Sequence, residues 1–490
     1  MNHSLALSDV EKHGQPVNHG TWIWTGFIGI SLVIFFFPEK WPWAVKFPRE
    51  WVIPLRFWIS DFMDWLINDL DFGLFTFKEM TRSVSWLLNW PLTFVNNLLV
   101  EGFSFSSDPR AEAILPPLSW IAVVTLFFLA GVAIKDLGLG ILAGACILYL
   151  AVFGRWESAM VTLSSIVIAV PLGILTGLGI GILGFRSRWV ERIITPLLDL
   201  MQTVPVFAYL VPVLFLFGFG PVAAMIATMI YATPPMVRIT LLSLKQVPED
   251  RVEFGEMAGC TRSQLLWKVQ IPSAKPGLMV GVNQVIMLSL NMVIIASMIG
   301  AGGLGFDVLS SLKRLAIGSG LEAGIAITLL AIALDRLSQA YSRRPPPDHG
   351  AVQDPWLERH RFLVIGLIVV ILTWVGSFFF EGVRVYPEAW QLTTSDFWEN
   401  LVKTINVNYF DQLEAFKTFL LLNILIPVKR FLLATPWVVV VGFVGLLGYR
   451  FGGWKLALLT TSLALFIAFT GGWKKAMITV YPVSYTHLRA

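Results

Sequence analysis

The sequence predicts an all-α, polytopic membrane protein, and three observations carry that prediction. Hydrophobic residues fill 56% of the 490 positions and charged residues only 14%. So few charges cannot cover that much apolar bulk in water, so lipid must solvate much of the chain. Apolar runs of roughly 20 residues, the length that crosses a ~30 Å hydrocarbon layer, recur from one end to the other. The 20 Trp and 36 Phe suit a bilayer, where Trp settles at the headgroup boundary.

Taken in order, the runs fall at 22–37, 116–132, 137–153, 158–182, 193–217, 221–243, 279–300, 321–337, 362–381, 434–450 and 456–470, and an incomplete one starts near Ala476. The polar stretch Met1 to Gly20 precedes a run without a small-residue cleavage box, so no short signal peptide is expected. Segment 81–100 is interrupted by Asn89, Pro91, Asn96 and Asn97 and reads as an interfacial helix, with one more complete span as the alternative. Cys146 and Cys260 have neither disulfide-framework density nor metal-ligand spacing.

A net charge of +4 in a soluble chain could point to nucleic acid, but here the basic residues cluster between apolar runs. That is positive-inside patterning, and no nucleic-acid partner is expected. Placing 244–275 in the cytoplasm puts Lys245, Arg251, Arg262, Lys268 and Lys275 there. Alternation then adds Arg186, Arg188, Arg192, Arg343, Arg344, Arg359 and Arg361. Lys313 and Arg314 oppose the trend in a glycine-rich outside loop.

An internal repeat runs through the chain. Trp120 to Leu163 aligns without a gap on Trp437 to Val480, an offset of 317 residues. The shared positions include Trp120/Trp437, Gly131/Gly448, Gly154/Gly471, Trp156/Trp473, Met160/Met477 and Thr162/Thr479, and ISDFMDWLI at 59–67 resembles TSDFWENLV at 394–402. Apolar composition aligns Leu with Val easily, but it does not readily align both Trp and both Gly positions. The copies share one orientation, a parallel repeat about the membrane normal. The second copy is expected to be truncated, with 484–490 a non-native tail and a longer native chain carrying a second charged island. The expected organisation is an N-terminal span and interfacial region at 1–110, a first core at 111–340, a linker at 341–361, a partial second copy at 362–483, and the tail.

Residues 244–272 alternate charge with apolar bulk at helical spacing. Met257, Leu265, Leu266 and Val269 form an apolar stripe, and Glu253, Glu256, Arg262 and Lys268 face water. Gly259 interrupts a first short helix, Thr261 caps a second, and Pro272 ends the pattern before the next span. Two short helices meeting at a glycine make a knob able to pass on a push; an ordinary interfacial loop is the plainer reading.

Inside the spans, 193–217 carries Asp199, Gln202, Thr203, Pro205, Tyr209 and Pro212. Asp199 is costly in hydrocarbon and must face protein, water or a partner, either as packing near the cytoplasmic start or as an attraction for a cation. Pro205 and Pro212 free carbonyls and bend the helix. Asn283, Gln284, Asn291 and Ser297 make a polar seam in 279–300, read either as pathway lining or as glue between helices. Glycines 173, 177, 179, 181 and 184 permit close helix approach.

The spacing from Glu253 to Gly259 and on to Ile271-Pro272 resembles the EAA motif of ABC importer permeases, with Phe254 and Gly255 in place of the usual alanines. Lys268 to Gly305, together with LLDLMQTVPVFAYLVPVLFLFGFG at 197–220, is similar to the glycine betaine/proline betaine permease family. Its tandem form resembles trimethylamine N-oxide importers. The resemblance implies a type I ABC importer permease fold and places Glu253, Glu256, Gly259, Arg262, Lys268 and Pro272 against an ABC ATPase dimer. It implies no cofactor in this chain, with ATP and Mg on that dimer; no G-x-x-x-x-G-K-[ST] loop occurs here. It also implies a separate substrate-binding protein and a small osmolyte: glycine betaine, proline betaine, a choline-like compound or trimethylamine N-oxide. Asp199, Gln202, Pro205, Tyr209, Asn283, Gln284 and Asn291 are the pathway candidates. An ion-coupled secondary transporter with an essential acid at Asp199, or a non-transporting membrane scaffold, is the alternative.

Overall fold

The computed structural model describes residues 19–73, 75–104, 114–343 and 361–487. Most of the polar start, Arg344, Arg359, most of the 341–361 linker and the last three residues lie outside them. The principal helices, in chain order, are α1 (His19–Phe36), α2 (Phe77–Asn96), α3 (Trp120–Ile134), α4 (Leu137–Val152), α5 (Trp156–Arg186), α6 (Arg188–Thr203), α7 (Val206–Phe217), α8 (Pro221–Lys245), α9 (Glu249–Met257), α10 (Arg262–Ser297), α11 (Gly303–Arg314), α12 (Ile317–Ser342), α13 (Arg361–Gly376), α14 (Trp437–Phe469) and α15 (Trp473–His487). Five are long and apolar enough to cross a bilayer: α5, α8, α10, α12 and α14. The shorter apolar helices α3, α4 and α13 hold 15, 16 and 16 residues, or about 24 Å at most.

The expected span at 193–217, bent by its prolines, is two helices, α6 and α7, meeting at 105°. Val204 and Pro205 are extended between them. Pro205 has no N–H to give the carbonyl of Met201 four residues back, and the Tyr209 hydroxyl donates to that carbonyl instead. Tyr209→Phe is therefore expected to orphan the carbonyl and to cost about 1–3 kcal/mol, read as a lower unfolding midpoint in detergent. The two apolar runs at 434–450 and 456–470 lie on α14, which breaks at Gly452 and Gly453. Lys313 and Arg314 sit in the last turn of α11 rather than in a loop, where cations suit the negative helix end.

The chain divides into two compact units, residues 70–405 and residues 1–69 with 406–490. In the larger unit α5, α8 and α10 pack side by side through glycine notches. A Cβ on Gly177 or Gly181 of α5 would meet Met236 Cβ or Thr240 Cβ of α8 at 2.6 Å, and one on Gly277 of α10 would meet Ser243 Oγ at 2.3 Å. Gly179 faces open space, so only part of the expected glycine run makes contacts. Gly181→Leu should force α5 off α8 at a cost of about 1–3 kcal/mol or more, visible as loss of monodisperse protein on size exclusion. The amphipathic α2 opens on a capping box between Thr76 and Glu79 and is not among the helices apolar enough to cross.

Within each unit, segments far apart in the sequence pack together. In the larger one, α13 packs across α3, the Trp120 indole donates to the Gly382 carbonyl at 3.0 Å, and the Leu392 N–H donates to the Val152 carbonyl at 2.8 Å. In the smaller one, the Trp437 indole donates to the Trp43 carbonyl at 2.7 Å and the Ile53 N–H donates to the Phe469 carbonyl at 2.7 Å. Gly154 and Gly471 both take positive φ, 64° and 71°, at corresponding turns.

Candidate functional site

Between α8 and the membrane-crossing part of α10 the chain makes a sharp elbow. Glu249 and Asp250 lie in the first turn of α9, where acids oppose the positive helix end. The helix stops at Gly259, whose φ of 78° is open to glycine at little cost. The Gly259 N–H donates to the Glu256 carbonyl at 2.9 Å and the Cys260 N–H to the Gly255 carbonyl at 3.1 Å, the paired bonds of a Schellman ending. Thr261 then opens α10 with a capping box. Its Oγ1 accepts the Gln264 N–H at 3.3 Å, and Gln264 Oε1 accepts the Thr261 N–H at 2.9 Å. Four residues, 258–261, join the two capped helices, and each of their N–H groups is bonded.

Gly255 is buried where α9 crosses α10. A Cβ there would lie 2.6 Å from Leu265 Cδ1 and 3.1 Å from Val269 Cγ2, so glycine lets the helices touch. Leu266 is buried with Leu244, Ala274 and Leu278, anchoring the elbow to α8. Met257, expected in the inward stripe, is 80% exposed. Once Gly255 faces the crossing, a residue two positions later lies about 200° around the helix. Phe254 likewise points outward, so its bulk does not disturb the crossing. Nor does Pro272 end the pattern. A π-helical turn at Leu265–Gln270 precedes it, and the helix runs on through the proline to Ser297. Phe254, Met257 and Trp267 are each exposed, as are Glu253, Glu256, Gly259, Arg262, Lys268 and Pro272. Sequence patterning missed these outward apolar side chains because it placed Met257 in the inward stripe and left Phe254 and Trp267 out.

Of the pathway candidates, Asp199 makes an ion pair with Arg238 of α8. Arg238 was overlooked, although an arginine within a span signals a partner as strongly as an aspartate does. Gln202 and Pro205 are exposed and Tyr209 is half-buried at the α6–α7 bend. On α10, Gln284 and Asn291 share an exposed face with Met287 and Ile294, as seven-residue spacing dictates. Asn283 is half-buried with Oδ1 lacking a partner, and Ser297 bonds back to the Ile294 carbonyl at 2.6 Å, so the four do not form one continuous seam. Among the described residues no hydrogen bond or ion pair joins the α6 candidates to those on α10.

The family described as binding-protein-dependent transport system inner membrane component matches residues 169–345, from mid-α5 to the end of α12. The glycine betaine transport system permease protein OpuAB of Bacillus subtilis is 39% identical over 60% of this chain and 95% of its own. The chain belongs to this permease family. A second relative of this permease, the trimethylamine N-oxide transport system permease protein TmoV of Pelagibacter ubique, is 36% identical over 89% of the chain. TmoV of Ruegeria pomeroyi is 33% identical over 90%. The chain spans 62% and 65% of the length of these two relatives. The permease is thus a multi-pass protein of the inner membrane, and the matched region contains the elbow, the broken helix pair and every pathway candidate.

Proposed function

We propose that the chain is the permease subunit of an ATP-driven importer of the type I fold. Its cargo is a quaternary ammonium or related osmolyte: glycine betaine, proline betaine, a choline-like compound or trimethylamine N-oxide. Its partners are an ABC ATPase dimer, which uses ATP and Mg, and a substrate-binding protein outside. The elbow carries the reading. A floppy polar loop cannot transmit force, whereas two capped helices meeting over Gly255 make a stiff corner that carries exposed Phe254, Met257 and Trp267 among charged side chains. Relatives named for betaine and trimethylamine N-oxide transport support the cargo class.

Asp199, Gln202, Pro205, Tyr209, Asn283, Gln284 and Asn291 are proposed to flank the pathway, with the α6–α7 bend as its hinge. The pairing of Asp199 with Arg238 argues against the ion-coupled alternative, which needs a free acid there.

The same reading includes a tandem organisation, with 111–340 as a first core and 362–483 as the beginning of a second. It is supported by the matching indole and amide bonds, in which Trp437 stands 317 residues after Trp120 while its acceptor Trp43 stands 339 before Gly382.

The test is reconstitution in proteoliposomes with the cognate ATPase and binding protein. The expected result is uptake of labelled betaine or trimethylamine N-oxide that requires ATP. Uptake of equal size without the ATPase would overturn the proposal.

A further inference from the structure

Where α5, α8 and α10 meet in the larger unit, their side chains leave a cavity of about 30 Å³. None of the residues lining it is exposed. Most are apolar, Ile166, Met225 and Val293 among them, and none is charged. Four hydroxyls break this lining: Thr162, Ser165, Thr228 and Ser289. Three of them spend their hydrogens on carbonyls of their own helix. Thr162 donates to Ser158 at 2.9 Å, Ser165 to Val161 at 3.3 Å and Thr228 to Ala224 at 2.8 Å. Thr162 Oγ1 also accepts the Leu304 N–H at 2.9 Å, which ties the start of α11 to this joint. Ser289 is different. It is 2% exposed, and its Oγ meets neither donor nor acceptor among the described residues.

A hydroxyl stranded in an apolar interior is costly, and inside a bilayer no bulk water relieves it. The oxygens of Ser165 and Thr228 donate but accept nothing among the described residues. The site therefore calls for a guest that accepts from Ser289 and donates to these two oxygens. Water does both. Trimethylamine N-oxide or an acyl chain has no hydrogen to donate, and a metal cation would find no carboxylate in the lining to balance it. A water needs about 10–15 Å³ and roughly two to four polar partners, so the volume suits one or two. We propose that this cavity is a binding site for one or two structural water molecules, held by Ser289 of α10, Ser165 of α5 and Thr228 of α8. At this level the three helices are joined through water.

The experiment is pulsed X-ray radiolysis of the purified 490-residue chain in detergent, read by mass spectrometry as oxygen gained at methionine sulfur. The pulse splits water wherever it lies, bound or bulk, and the hydroxyl radical attacks the nearest thioether. Met225 lines the cavity and Met236 and Met292 do not, yet all three are 2% exposed or less. The expected result is that Met225 is oxidised about tenfold faster than the other two, as a neighbouring bound water demands. A water-soluble radical scavenger should slow oxidation of the exposed Met257 and leave Met225 unaffected. Ser289→Val fills the cavity and removes the donor, and should bring Met225 down to the rate of Met236. In the wild-type chain, Met225 oxidised no faster than Met236 and Met292 makes the cavity dry. Quenching of Met225 in parallel with Met257 makes it an inlet of bulk solvent. Protection of Met225 by added trimethylamine N-oxide, with Met257 unchanged, makes it a cargo site. Each of these results overturns the proposal, as does a monodisperse Ser289→Val variant whose Met225 is oxidised at the wild-type rate.

Discussion

Replacing Glu322 with alanine is expected to lower stability by about 3–5 kcal/mol, the usual consequence of leaving a buried charge without its partner. The Glu322 side chain is almost fully buried at the start of α12 and receives Arg155 Nη2 at 3.3 Å. Arg155 also reaches Ser319 Oγ at 2.9 Å and Asp307 at 3.6 Å. The other carboxylate oxygen accepts the hydroxyls of Thr393 and Thr394 at 2.9 and 3.1 Å, together with the Thr394 N–H. One acid therefore binds the turn before α5, the start of α12 and the stretch after α13. Glu322→Gln keeps the acceptor for the threonines and should lose less. Changing Arg155 and Glu322 together to Met should recover part of the deficit, because the two most buried charges leave together while the partly exposed Asp307 alone loses its partner. Thermal unfolding of the four purified proteins in detergent checks this. Single variants that all unfold at the wild-type midpoint would show the cluster to be energetically idle.

That cluster marks where sequence reasoning ran out. Glu322 lies 167 residues from Arg155 and 72 from Thr394, and no periodicity links residues so far apart. The apolar helices were legible because hydrocarbon imposes a length and a composition on each of them. The similarity between the two stretches was legible through Trp and Gly, which serve an indole donor and a positive-φ turn that other residues fill poorly. The pairing of α13 with α3, and of Trp43 with Trp437, was not, since it joins segments whose offset differs from that of the helices they pack on. At Pro205 the sequence announced a bend but not its size. The angle depends on whether the freed carbonyl finds a new donor, and Tyr209 supplies one. At the elbow the caps were readable from Gly259 and Thr261. The outward face was not, because it follows from Gly255 being the point of helix crossing, a fact of packing rather than of pattern.

The second large effect is expected at that outward face. If Phe254, Met257 and Trp267 fill a pocket on the ATPase, truncating Phe254 or Trp267 to alanine should weaken assembly by at least about 2 kcal/mol, roughly 30-fold in Kd, as for buried aromatic anchors elsewhere. Charge reversal at Glu253 or Lys268, on the solvated rim, should change Kd much less and make it more salt-dependent. Gly259→Ala tests something different. At a φ of 78° an alanine is strained by about 1–2 kcal/mol, which favours unwinding the corner rather than removing a contact. Its Kd should stay within a few-fold of wild type while the number of ATP molecules hydrolysed per solute rises. Measuring assembly by titration against the ATPase, and coupling by parallel hydrolysis and uptake in proteoliposomes, separates grip from stiffness. An elbow that only grips would give Gly259→Ala normal coupling, and one that only stiffens would leave Kd unmoved in Phe254→Ala. The proposed mechanism requires both, since a knob that holds without rigidity dissipates the stroke and a rigid knob that does not hold never receives it.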